Sequence, residues 1–173
     1  MPVEPSAFPF HDWNERITVE CYRPNAVARI LAEDDVPMRI VNNYTQISFN
    51  FGATLLDWLA RHAPDVYEAI LQADDDSVER FGGHGCALAQ GYAHAILPLA
   101  NDRDRRTQVV WGVRDFEHRF GRAPEGFWLP ETAVDTPTLE ALAEQGIAYT
   151  LLAPRQARRV RAAGETWRGA RTV

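Results

Sequence analysis

Three consecutive pieces of this chain constrain its fold most: EGFWLP (125–130), TPTLEALAEQG (136–146) and IAYTLLAP (147–154). The outer two are short apolar runs ended by proline. The middle one carries the marks of a helix: Thr136 as N-cap, Pro137 at N1, Leu139 and Leu142 on the inner face, and Gly146 just past the C-terminus. A strand, a helix and a second strand in so few residues make a β-α-β unit, with parallel strands and a right-handed crossover. Glu131 then falls at the C-terminal end of a parallel strand. In α/β sheets and barrels, that is where substrates bind.

The rest of the chain repeats the alternation. RDRRTQVVWGVRDFEHRFG places Val109, Val113, Phe116 and Phe120 at helical spacing, with Gly121 and Pro124 closing the segment. NFGATLLDWLARHAP (50–64) reads as a helix with Leu55, Leu56 and Leu59 on one face. A second helix opens at Pro64 or Asp65, with Val66, Ile70 and Ala73 inside, and GGHGC (82–86) breaks it. NAVARILAED (25–34) reads as a short helix capped by Asn25. Arg39–Val41 and Tyr44–Phe49 read as strands, and residues 87–101 fit either a strand or a short helix. The first dozen residues read as a loop or docking arm. The whole is α/β in class.

A formal net charge of −6 disfavours nucleic acid and anionic membrane surfaces as partners. There is no apolar run of about 18 residues and no secretory leader pattern, so a cytoplasmic setting is the default. Cys21 and Cys86 read as free, buried thiols.

Glu131, next to Phe127, Trp128 and Pro130, reads as a partly desolvated carboxylate suited to nucleophilic or acid/base work; the alternative is a carboxylate that simply complements a helix dipole. Trp128 offers a flat apolar face to a sugar ring. Asp135 reads mainly as a helix cap. His84, in the glycine-rich GGHGC turn, lies where backbone approaches a ligand; with Cys86 it makes too small a set for a metal site. His94 taken alone reads as a core histidine. His11, Asp12 and Trp13 form a cap or a pocket wall, ADDDSVE a solvated acidic face, and PRQARRVR a solvated basic helix face.

The stretch GYAHAILPLANDRDRRTQVVWGVRDFEHRFGRAPEGFWLPETAVD resembles glycoside hydrolase family 57, in which a histidine-bearing segment precedes an amphipathic helix and a Trp-Leu-Pro-Glu string. HDWNERITVECYRPNAVARI and IVNNYTQISFNFGATLLDWL resemble a subgroup of large bacterial proteins with a family 57 N-terminal domain. The resemblance covers residues 8–161. It implies a (β/α)7 barrel of parallel strands, of which residues 1–173 are a single incomplete domain, lacking a histidine-rich first strand and the C-terminal half. It implies a retaining enzyme acting on α-glucans, hydrolase or glucanotransferase, with no cofactor and no metal. Glu131 is then the nucleophile, and His94 and Trp128, with His84 and Asp135, are substrate-binding residues. The family's acid/base Asp lies beyond this sequence, which implies an isolated chain without turnover. The alternatives are a non-catalytic glucan-binding or regulatory remnant and a polysaccharide-deacetylase-like barrel. The latter needs Asp-Asp and His-x-x-x-His sets that the sequence lacks.

Overall fold

A computed structural model describes residues 3–33, 35–162, 164 and 166, and the backbone of 171–172. Met1, Pro2 and Asp34, which belong to segments read above, lie outside the described residues. The helices are α1 (Trp13–Ile17), α2 (Arg23–Ala26), α3 (Ala53–His62), α4 (Pro64–Arg80), α5 (Asp102–Phe120) and α6 (Thr136–Glu144). The strands are β1 (Ala28–Leu31), β2 (Pro37–Val41), β3 (Ala89–Gln90), β4 (Gly126–Trp128), β5 (Tyr149–Thr150), β6 (Arg159–Val160) and β7 (Arg171–Thr172).

The central layer is the parallel sheet β3-β4-β5, with Ala89 beside Phe127 and Phe127 beside Thr150. A parallel bridge between Phe49 and Ala87 continues it on the β3 side. Sheet order therefore follows chain order, and helices intervene between successive strands. Phe127, Leu129, Leu56, Leu59, Val66, Ile70, Val109 and Phe116 meet in one core. Of the inner faces read from α3, α4 and α5, Leu56, Leu59, Val66, Ile70, Ala73, Val109, Val113 and Phe116 are buried, and Leu55 and Phe120 are partly buried against the core. Gly121 takes a left-handed conformation at φ 66° after α5, and its N–H bonds the Glu117 carbonyl at 3.0 Å.

Several readings are corrected. Among the described residues of 25–34 only Asn25 and Ala26 are helical, as the end of α2, and Ala28–Leu31 pair antiparallel with Pro37–Val41. The local sequence suits a helix, but the non-local hairpin wins, as context commonly overrides propensity. Tyr44–Phe49 is not a strand. Asn43–Thr45 form a 3₁₀ turn, opened by the Asn42 side chain accepting from Tyr44 N–H. Segment 87–101 divides into β3 and a 3₁₀ turn at Leu97–Leu99. The cap of α6 is Asp135 rather than Thr136, and Leu139 is 41% exposed rather than inside. Cys21 is exposed; Cys86 is buried and free. The basic stretch is a 3₁₀ turn at Pro154–Gln156 followed by β6, not a helix. His11, Asp12 and Glu15 are a cap: Asp12 accepts from Glu15 N–H at 3.0 Å, and Glu15 accepts from His11 N–H at 2.7 Å.

The acidic run is not all solvated. Asp74 is fully buried on α4. Its carboxylate takes bidentate bonds from Arg122 at 2.8 and 2.9 Å and a bond from Ala87 N–H at 2.8 Å. Arg122 also donates to the Ala87 carbonyl at 3.1 Å. Ser77 Oγ accepts from Cys86 N–H at 2.8 Å. The segment entering β3 is thus fixed by side chains from α4 and from the loop after α5.

Helix α5 lies directly on β3. A Cβ at Gly112 would stand 1.9 Å from the Gln90 carbonyl oxygen. Gly112→Ala is expected to push α5 off the sheet and cost about 1–3 kcal/mol in urea unfolding. Arg122→Met, which strands the buried Asp74 carboxylate, is expected to cost about 3–5 kcal/mol by the same measurement, with part recovered in the Asp74→Asn, Arg122→Met double variant.

Candidate active site

The C-terminal edge of the parallel sheet collects polar groups. Three of its segments lead into one: Asn50 after Phe49, Gln90 at the end of β3, and Glu131 after β4 and Leu129-Pro130. Asn50 Nδ2 donates to Gln90 Oε1. Phe127 of β4 and Leu129 just after it are buried in the core, and Trp128 between them is half-buried.

Glu131 is held unusually. Its φ and ψ are 56° and 17°, and Thr132 follows with φ 53°. Two successive non-glycine residues in the left-handed region cost about 1–3 kcal/mol each, a form of strain that gathers at functional sites. The turn closes through Thr132 N–H to the Leu129 carbonyl at 2.9 Å and Ala133 N–H to the Pro130 carbonyl at 3.0 Å. It tips the carboxylate outward. The side chain is 75% exposed, so the desolvated carboxylate read from the sequence is corrected. Its apolar neighbours turn inward and do not cover it.

His94 is not a core residue. Its side chain is 60% exposed, and Nε2 stands 3.5 Å from Glu131 Oε1. Its ring centroid is 5.5 Å from that of Trp128. A tight three-residue turn presents it, with Ala95 N–H bonded to the Ala93 carbonyl at 2.8 Å. Gln108 of α5 holds this loop. Its Oε1 accepts from Ala93 N–H at 2.7 Å and its carbonyl from Tyr92 N–H at 3.1 Å. Further along, the buried Arg105 donates to the Leu97 and Ala100 carbonyls.

Glu131, His94 and Trp128 therefore share one site, although they come from separate loops and strands. His84 does not join them. It precedes β3 and bonds Glu125, which precedes β4, at 2.9 Å; both lie at the opposite, N-terminal edge of the sheet. Asp135 lies near Glu131 in sequence, but its Oδ1 accepts from Thr138 N–H at 2.9 Å as the cap of α6. Sequence reading missed Asn50, Gln90 and Gln108. The first two carry the same signal as Glu131, a polar residue where an apolar strand ends. Among the described residues, no group of three or more His, Cys, Asp or Glu is placed to hold a metal, and no helix is long and apolar enough to cross a membrane.

Parallel strands in chain order with helices between them place the chain in the α/β class, with a carboxylate, an imidazole and an indole gathered at the C-terminal edge of the sheet. Comparison narrows this. The sequence profile of glycosyl hydrolase family 57 matches residues 46–154, and the chain belongs to that family. It is 28% identical over 107 residues to alpha-amylase 1 of Dictyoglomus thermophilum, a match covering 61% of this chain and 15% of that protein. Its fold resembles the exo-type maltose-forming amylase of Pyrococcus sp. ST04, with TM-score 0.61 and 18% identity, covering 84% of this chain and 22% of that one. It also resembles the 4-alpha-glucanotransferase of Thermococcus litoralis, with TM-score 0.50 and 23% identity, covering 64% and 17%. The chain thus spans a small part of the length of these relatives.

The Thr138 side chain and backbone N–H beside Asp135 hold its carboxyl below the usual carboxylate range. A pKa lowered by folding contributes stability that is present above the unfolded value, about 3.9, and lost as pH falls through the folded value. Asp135→Ala is expected to lower Tm at pH 7, and the gap from wild type should close at acid pH. Asp135→Asn, which keeps the cap acceptor, should stay near wild type at pH 7.

Proposed function

We propose that this chain is a domain of a carbohydrate-active enzyme acting on α-glucans, in which Glu131 is the nucleophile of a retaining mechanism. The observation that carries this reading is the strained turn at the end of β4, which holds the Glu131 carboxylate toward solvent 3.5 Å from His94 Nε2. In this reading a carboxylate oxygen attacks the anomeric carbon, the glycosidic C–O bond breaks, and a glycosyl ester forms on Glu131. Water or an acceptor hydroxyl then attacks the same carbon and releases the carboxylate, giving hydrolysis or transfer. His94 hydrogen-bonds a sugar hydroxyl, and the Trp128 indole packs on the apolar face of the ring. Amylase and glucanotransferase relatives support the substrate class.

Retention also needs a general acid/base about 5–5.5 Å from the nucleophile. Asp135 is engaged at the helix cap, so in this reading the second carboxylate is contributed from outside residues 1–173. The same observation favours a second reading, in which this chain binds glucan at His94 and Trp128 without turning it over.

An activated donor separates the two. α-Glucosyl fluoride has a leaving group that needs no general acid, so it tests the nucleophile alone. Incubation with 5-fluoro-α-glucosyl fluoride, followed by peptide mass spectrometry, is expected to place one glycosyl ester on Glu131, with none on Glu131→Gln. Glucan binding with no ester at Glu131 establishes the binding reading instead.

A further inference from the structure

The strained turn is closed from within by two hydrogen bonds, and neither uses the Thr132 carbonyl. It is met from another loop: Gln156 Nε2 donates to Thr132 O at 2.7 Å. The Gln156 amide is itself fixed, because its Oε1 accepts from Ala153 N–H at 2.7 Å. Its backbone is fixed as well, with Gln156 N–H bonded to the Ala153 carbonyl at 2.9 Å in the 3₁₀ turn that Pro154 opens. One amide therefore joins the loop after β5 to the turn after β4. A second side-chain bond ties the same two strands inside the sheet, Thr150 Oγ1 to the Phe127 carbonyl at 2.7 Å.

We propose that Gln156 is a positioning residue for Glu131: by holding the Thr132 carbonyl, it keeps the left-handed Glu131–Thr132 turn in the conformation that aims the carboxylate. The proposal rests on Glu131 being the nucleophile. Its physical basis is that two non-glycine residues in the left-handed region persist where surrounding structure over-determines them. Here the outside constraint is one amide with both ends used. A carboxylate at position 156 still accepts from Ala153 N–H but has no N–H for Thr132, so Gln156→Glu removes one bond and keeps size and loop. Gln156→Leu removes both.

The test has two arms on the full chain. Backbone NMR reads the Cα and amide shifts of Glu131, Thr132 and Ala133. Labelling with 5-fluoro-α-glucosyl fluoride reads the rate of ester formation at Glu131. In Gln156→Glu, the three residues' shifts are expected to move away from left-handed values while Tm stays within a few degrees of wild type, as suits an exposed side chain. The labelling rate should fall about 10–100-fold, with donor affinity unchanged. Gln156→Leu should match it or go further. Shifts unchanged in both variants overturn the proposal, and so do moved shifts with an unchanged labelling rate. If wild type shows no ester at Glu131, the nucleophile reading fails, and Gln156 then has no catalytic group to position whatever the NMR shows.

Discussion

The ion pair of buried Asp74 with partly buried Arg122 is the contact on which the arrangement depends. The strands of the parallel sheet are two or three residues long, so their own ladder bonds fix register weakly. At Ala87 both backbone groups are taken by this pair, the N–H by Asp74 and the carbonyl by Arg122. Bidentate geometry makes the pair directional as well as strong. It joins α4, the entry to β3 and the loop after α5 at one point. Phe49 sits beside Ala87 and follows its register. A buried ion pair is weak evidence for net stability, but its role here is alignment.

From that fixed entry, each strand delivers its last residues to the opposite edge at a set height. Gln90 lies beside Trp128, and Gly112 lets α5 close on the Gln90 carbonyl. The loop bearing His94 then leaves from β3, and Gln108 of the same helix holds it. The helix that packs the core thus also shapes the site wall. Glu131 and His94 meet because two neighbouring strands end together and their loops are separately held.

What could be read from the chain followed from the range of each interaction. Helices α3 to α6 carry local signals, such as Pro64 and Pro137 inside their starts and Gly121 and Gly146 beyond their ends, and these were legible. Glu131 was legible as an acid following a buried strand, and the family resemblance implied a role for it. The β1–β2 hairpin was not, since Ala28–Leu31 suit a helix until residues 37–41 pair with them. Asp74 looked like one more surface acid because its partner is 48 residues away. The position of His94 against Glu131 depends on two loops at once, and no local pattern reports that.

The exposure of Glu131 bears on the proposed nucleophile role, because a fully hydrated carboxylate is a poor nucleophile. A pre-buried acid would carry its desolvation cost in the free protein. With Glu131 as the nucleophile proposed above, that cost is deferred, and a sugar ring packed against Trp128 and His94 would itself exclude water from the carboxylate. Strain serves the same end. The left-handed turn tied at Leu129 and Pro130 fixes the direction in which the backbone presents the Glu131 side chain. In the proposed reading, the turn sets the direction of the carboxylate and a bound sugar would supply its dry surroundings.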